Sequence, residues 1–341
     1  MTLPKGTNWS IFLLVAVIFV GAGLWYAIRP AVKGDESSAA TNDNTIAVIA
    51  GGDVNLGRQT GQKILAGEID YPFANMGEVL KTADIAFVNL ESQLVDLGGE
   101  TQSPTSEYRF AGPPEGAQSL ANAGIDIVSL ANNHMWDYGK NGLESTLKAL
   151  DAMNVKYVGA NMNTDELFKP VITEVKGKKI AWFAMTNLLN GYENSGAANY
   201  IAFQNGAKII EQIKAVKDSV DWVFVSIHSG TEYAAAPSDA LVKMAHDFID
   251  AGADAVIGHH PHVPQKIEVY NGKPIFYSLG NFAFWQPFSF WTENSFLAKL
   301  KLTEPHKVEY ETIPIKAGWQ PELLTDEKMI EQLYSRLNPP E

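Results

Sequence analysis

From Thr45 onward the chain repeatedly runs a short apolar stretch into a polar cluster. TIAVIA (45–50) leads to Gly52-Asp53-Val54-Asn55-Leu56-Gly57-Arg58, and IAFVN (85–89) to Leu90-Glu91. DIVSLA (126–131) leads to Asn132-Asn133-His134, with Asp137 and Gly139 close behind. WVFVSI (222–227) stops at His228-Ser229-Gly230-Thr231-Glu232-Tyr233, AVIG (255–258) at His259-His260-Pro261-His262, and 274–279 at Gly280-Asn281-Phe282. Such runs read as buried strands. Helical spacing fills gaps between them at 73–83, 114–123, 142–153, 207–217 and 241–251. Strands alternating with helices predict an α/β fold. Open α/β sheets bind ligands beyond the carboxyl ends of their strands, so polar clusters at six strand ends predict a single site.

The later part turns antiparallel. Residues 171–175 and 179–185 flank Lys176-Gly177-Lys178, and 266–270 and 274–279 flank Asn271-Gly272, a two-residue hairpin signal. Further β runs follow at 296–302 and 308–315. The polar motifs spread across the whole body, so it reads as one domain over 45–320, with a tail over 321–341 that holds a short helix at 325–337.

The first 44 residues differ. After a tail over 1–10, residues 11–28 (IFLLVAVIFVGAGLWYAI) carry no charge. At roughly 1.5 Å per residue they extend about 27 Å, enough to cross a bilayer core once. Trp25 and Tyr26 sit where an aromatic belt is expected. A cleaved signal peptide is the rival reading. Residues 29–44, rich in Ser, Ala, Asn and Asp towards their end, read as a flexible tether.

Composition narrows the chemistry. With no cysteine, thiolate metal sites, a cysteine nucleophile and disulfides are excluded. A net charge of −13 argues against a nucleic-acid surface. No Gly-x-x-x-x-Gly-Lys-[Ser/Thr] motif is present, so an ATP-driven ligase is not expected. Of seven histidines, five lie in the post-strand clusters: 134, 228, 259, 260 and 262. Imidazoles with Asp, Glu and Asn oxygens suit one or two divalent ions such as Mn, Fe or Zn.

Each residue also has a plainer reading. Asp53 and Asn55 fit a turn, Asp137 a helix N-cap, and His228 a satisfied core histidine. Together with Glu91, Asn133, His260 and His262 they make a metal-ligand set. Arg58 and Arg109 read either as bidentate anion binders or as surface ion-pair partners. Glu232 and Asn281 read as further substrate contacts. His246 in a helix and His306 in a hairpin loop read as structural. The aromatic stretch Phe282, Phe284, Trp285, Phe288, Phe290 and Trp291 reads as a packed flap, a substrate platform or a partner-facing patch.

GDVNLGR, NLESQL, LANNHMWDYG, HSGTEY, GHHPHV and YSLGNF, in this order, resemble the CapA family of poly-γ-glutamate capsule biosynthesis proteins. The similarity runs from about residue 46 to about 285. The family's domain resembles the calcineurin-like metallophosphoesterases. The resemblance implies a four-layer αββα metallophosphatase-like sandwich, an N-terminal transmembrane helix in the cell membrane, and the main domain outside. It also implies a role in making or exporting poly-γ-glutamate with other subunits of a synthase or export complex. An anionic polymer or a phosphoester is then the expected substrate.

Residue by residue, the resemblance implies Asp53 and Asn55 (in place of Asp-x-His), Glu91, Asn133, His228, His260 and His262 as metal ligands. It implies His134 as an acid or transition-state stabiliser, with Asp53 also at the reaction centre. The Asn at 55 and the extra residue in Gly258-His259-His260-Pro261-His262 depart from the wider pattern. Whether the site is catalytic is therefore left open; if it is, a metal-dependent hydrolase is implied.

Overall fold

The computed structural model describes residues 44–339. The apolar segment 11–28 and nearly all of the tether lie outside the described residues. Among the described residues no helix is long and apolar enough to cross a membrane. The chain from Asn44 onward makes one compact unit.

The main strands are β1 (Ile46–Val54), β2 (Ile85–Leu90), β3 (Ile127–Ser129), β4 (Lys156–Val158), β5 (Val171–Val175), β6 (Lys178–Thr186), β7 (Trp222–His228), β8 (Ala255–His259), β9 (Ile267–Tyr270), β10 (Lys273–Phe276), β11 (Asn294–Leu302), β12 (Val308–Lys316) and β13 (Glu322–Leu323). The longer helices are α1 (Arg58–Leu65), α2 (Gly116–Asn122), α3 (Gly139–Ala152), α4 (Gly206–Val216), α5 (Asp239–Ala251) and α6 (Glu327–Leu337).

One sheet has the order β13-β12-β11-β1-β2-β3-β4, the other β9-β10-β8-β7-β6-β5. In the first, β1 to β4 run parallel; in the second, β6, β7, β8 and β10 do. Crossover connections, helical except between β8 and β10, allow that parallel sense, so the carboxyl ends of each parallel set share one edge.

The two sheets pack face to face as an α/β sandwich. Strand side chains alternate sides, and β1 shows it: Ile46, Val48 and Ala50 enter the inter-sheet core while Ile49 faces the helices. Between the sheets, Phe87 stacks on Trp182 at 5.1 Å, and Trp182 meets Phe224 edge-on. Each such buried side chain contributes about 2–3 kcal/mol. Ile64, Leu120, Leu143 and Leu150 cover the outer face of the first sheet, and Ile209, Ile213, Leu241 and Phe248 that of the second.

Both expected hairpins form. Lys176-Gly177 and Asn271-Gly272 each hold two successive positive φ values, as a two-residue turn between twisted strands requires. The helix expected over 73–83 is instead a 3-10 turn at Tyr71–Phe73 and one α-turn at Gly77–Leu80. The turn at 74–76 separates the two, yet Phe73, Met76 and Leu80 are still buried. Helix α1 carried no sequence signal, since Gly57 lends it no side-chain cap and Gly61 interrupts it. In the segment 321–341, α6 buries Leu333 and Leu337 in the inter-sheet core.

Candidate metal centre

The carboxyl ends of β1, β2 and β3 meet those of β7 and β8, bringing most of the sequence-predicted residues together. Asp53, Glu91 and His228 are fully buried, and Asn133, His134, His260 and His262 nearly so. Close backbone approach makes this possible. Asp53 N–H donates to Gly280 O at 3.0 Å, and Phe282 N–H to Asp53 O at 2.9 Å. A Cβ on Gly52 would lie 1.9 Å from Gly280 O, so only glycine fits there.

Asn89 is the hub. Its Nδ2 lies 2.8 Å from Asp53 Oδ1, 3.3 Å from Glu91 Oε1 and 3.2 Å from His228 Nδ1. Its Oδ1 accepts from Asn132 Nδ2, which also donates to Leu90 O. Across the sheets, Asn133 Oδ1 sits 2.7 Å from His228 Nε2, while Asn133 Nδ2 donates to Asn190 Oδ1. His262 Nδ1 is 3.0 Å from Asn281 Oδ1 and 3.2 Å from Asp53 Oδ2. Its Nε2 faces Glu91 Oε2 at 3.9 Å.

Two groups of ligand atoms each gather within 4.8 Å: Asp53, Glu91 and His262, and Glu232, His260 and His262. Several polar atoms here are buried without a partner: Glu91 Oε2, His260 Nδ1 and both ring nitrogens of His259. His259 Nδ1 lies 3.4 Å from Asp53 Oδ1 but is out of line for a hydrogen bond.

The electrostatics follow. Burial pushes the Asp53 carboxyl up, but the imidazoles of His259 and His262 outweigh it and hold Asp53 well below its usual range. Burial and then the Asp53 charge push Glu91 well above. Burial, then His260, drives His228 well below the usual imidazole value; burial and His262 take His260 down to about 3. Burial disfavours the His262 cation too, yet Glu91 and Asp53 raise it to about 9. Carboxylates and imidazoles pulled this far apart are the pattern of a candidate functional site.

His134 stands at the edge of this cluster. Its Nδ1 is 2.9 Å from Asp137 Oδ2, and Phe110 stacks on its ring at 3.9 Å. Asp137 Oδ2 also accepts from Phe110 N–H at 2.8 Å, so this side chain orients the imidazole rather than capping a helix. Beside it opens a groove of about 1060 Å3, lined by Arg58, Arg109, His134, Glu232, His262 and Phe288 among others.

A family model described as bacterial capsule synthesis protein PGA_cap matches residues 47–286. The chain belongs to this family. It is 31% identical over 316 residues to the capsule biosynthesis protein CapA of Bacillus anthracis, spanning 89% of this chain and 74% of that one. It is 30% identical over 314 residues to the PGA biosynthesis protein CapA of Bacillus subtilis, spanning 91% and 81%. A probable polyglutamine synthesis accessory protein of Mycobacterium tuberculosis is 28% identical over 289 residues, spanning 71% and 75%.

Within this PGA_cap domain some expected residues take other tasks. Asn55 spends its side-chain oxygen on Gly57 N–H at 2.8 Å, the turn reading. Arg109 donates through Nε and Nη2 to Asp137 O and lies over the Tyr138 ring. Its guanidinium braces the His134 loop instead of offering a free anion clamp. Arg58 donates to Glu107 O and lies over Phe110, but still lines the groove. Asn281 is fully buried, donating to Gln286 Oε1 and Thr292 O while its oxygen faces His262. It orients a histidine and is not open to substrate. His246 pairs with Glu268 at 2.8 Å, and His306 with Asp254 at 3.0 Å. Asn89 and Asn190 were missed. Lone asparagines beside apolar runs carry no signal of their own, although Asn89 lies two residues before Glu91.

Proposed function

We propose that the chain is a membrane-anchored CapA-like component of poly-γ-glutamate capsule biosynthesis or export, with a metallophosphatase-like site facing outside the cell. Family membership supports the capsule role. The uncharged run at 11–28 supports a single-pass anchor in the cell membrane, with residues from 45 on as the extracytoplasmic domain. The mycobacterial relative, a probable polyglutamine synthesis accessory protein, supports assembly with other subunits of a synthase or export complex.

The observation that carries the site is Glu91. Its Oε2 is buried with no partner, amid His228, His262 and Asp53. An orphaned buried carboxylate oxygen is costly, and a divalent cation is the group whose charge offsets it. The donor set of oxygens and imidazoles without sulfur fits Mn, Fe or Zn. Asp53, Glu91, Asn133, His228, His260 and His262 would hold the ion or ions. When bound, such an ion supplies Lewis-acid polarisation of a carbonyl or phosphoryl oxygen. The protein adds the rest. Asp137 holds His134 by Nδ1, which leaves Nε2 to exchange a proton with a group in the groove. Arg58 offers its remaining donors to an anion there.

That oriented His134 also favours a second reading, a metal-dependent surface hydrolase of phosphoesters or of γ-glutamyl polymer not dedicated to capsule synthesis. Metal analysis of the purified protein, beside turnover of a p-nitrophenyl phosphodiester and of poly-γ-glutamate, tests both. A protein that takes up no transition metal and turns over neither substrate sinks the metal site. Membrane fractionation with protease accessibility tests the anchor; a protein recovered wholly in the soluble fraction removes it.

A further inference from the structure

The geometry points to Glu232 as a metal ligand that closes the ion site from the groove, working with His260 and His262. This rests on the reading that the centre takes a divalent ion. Glu232, His260 and His262 bring one ligand atom each within 4.8 Å of one another, though Glu232 is exposed and both histidines are buried.

The tautomers show which atoms are open. Asn281 Nδ2 donates to Gln286 Oε1 and Thr292 O, which fixes Asn281 Oδ1 as an acceptor. His262 Nδ1 at 3.0 Å from that oxygen is therefore the protonated nitrogen, and Nε2 carries the lone pair in the neutral ring. His260 Nδ1 is buried with no partner. A carboxylate at the groove mouth thus faces two imidazoles with ligand capacity to spare.

The backbone holds the arrangement at a cost. His260 (φ 99°), His262 (φ 57°) and Tyr233 (φ 62°) all occupy the left-handed region. Strain of this kind at non-glycine residues persists only where surrounding contacts impose it, and it gathers at functional sites. Here the two strained loops are tied directly: Tyr233 N–H donates to Pro261 O at 2.8 Å, and Ser229 N–H to His259 O at 3.1 Å. The turn that delivers Glu232 is fastened to the backbone that presents both histidines.

The test is Co2+ and Mn2+ titration of the full chain, reading affinity by calorimetry and the visible absorption of the cobalt form. Glu107 lines the same groove outside the ligand group, so Glu107→Gln controls for loss of a nearby charge. Glu232→Gln should weaken the ion about tenfold or more and change the cobalt spectrum, while Glu107→Gln stays within about twofold of the parent. Glu232→Gln matching Glu107→Gln, with an unaltered spectrum, overturns the assignment of Glu232 while the metal centre stands. A parent chain that binds neither ion overturns the metal centre itself, and this inference with it. Circular dichroism of each variant separates lost ligation from lost fold.

Discussion

Asn133 Oδ1 and His228 Nε2 lie 2.7 Å apart, although one residue follows β3 of the first sheet and the other ends β7 of the second. Asn133 Nδ2 is engaged by Asn190, so its oxygen must accept and His228 Nε2 must donate. Both residues could hold an ion together only with the His228 proton moved from Nε2 to Nδ1. The pair is thus the seam at which the two halves of the site meet. Replacing His228 and His262 together with Ala should cut divalent-ion affinity by at least about 100-fold, beyond the 10–100-fold expected from losing outer contacts. Metal content after dialysis, measured by plasma mass spectrometry, checks it; unchanged stoichiometry would falsify the ligand set.

In the proposed site His134 stands apart from the metal ligands. Replacing it with Ala should leave metal content intact and lower any turnover by about 100-fold or more. Asp137→Ala should act on stability as well. It orphans Phe110 N–H and frees the His134 ring, two buried bonds whose loss costs about 2–4 kcal/mol. Urea unfolding with activity measured on the same samples tells these effects apart. A His134→Ala protein that loses its metal would move this residue into the ligand set.

Much of this was legible in the sequence, and for physical reasons. Strands buried on both faces must be apolar, and a buried polar cluster at a strand end needs a function to justify its desolvation, so Asp53, Glu91, His228 and His262 stood out. The residues that were misjudged are those whose role depends on what lies across the sandwich. Arg109 resembles an anion binder until the Asp137 carbonyl occupies its guanidinium. Asn281 resembles a substrate contact until Gln286 and Thr292 enclose it. Asn89 meets Asp53 of β1 and His228 of β7, relations that no local spacing encodes.

The close approach of β1 to the 280–282 segment makes a backbone prediction. Gly52→Ala places a methyl 1.9 Å from Gly280 O, a contact that only main-chain movement relieves. Overpacking of this kind costs about 1–3 kcal/mol, occasionally more. Because Asp53 adjoins the clash, metal affinity should fall together with the unfolding midpoint. Gly77→Ala, where a Cβ meets nothing within 4 Å, should be nearly neutral in both. Equal behaviour of the two variants in thermal melts would contradict the packing argument.

The metal-free protein should carry a proton at His262 that ion binding must expel. With its folded value at about 9, His262 is charged throughout the neutral range, held so by Glu91 and Asp53. A ligand must be deprotonated to bind, so affinity should climb about tenfold per pH unit as pH rises towards 9, then level off. The stability of the metal-free chain has the opposite sign. A histidine whose value is raised on folding stabilises fully below its unfolded value near 6.5, and that contribution is lost as pH rises through about 9. Melting in chelator should therefore weaken from about pH 6.5 to 9, by an amount on the order of 3 kcal/mol if His262 acts alone. His262→Gln should flatten that alkaline branch. Calorimetric titrations of Mn2+ in buffers of different ionisation enthalpy count the protons released, and zero release at pH 7 would refute the assignment.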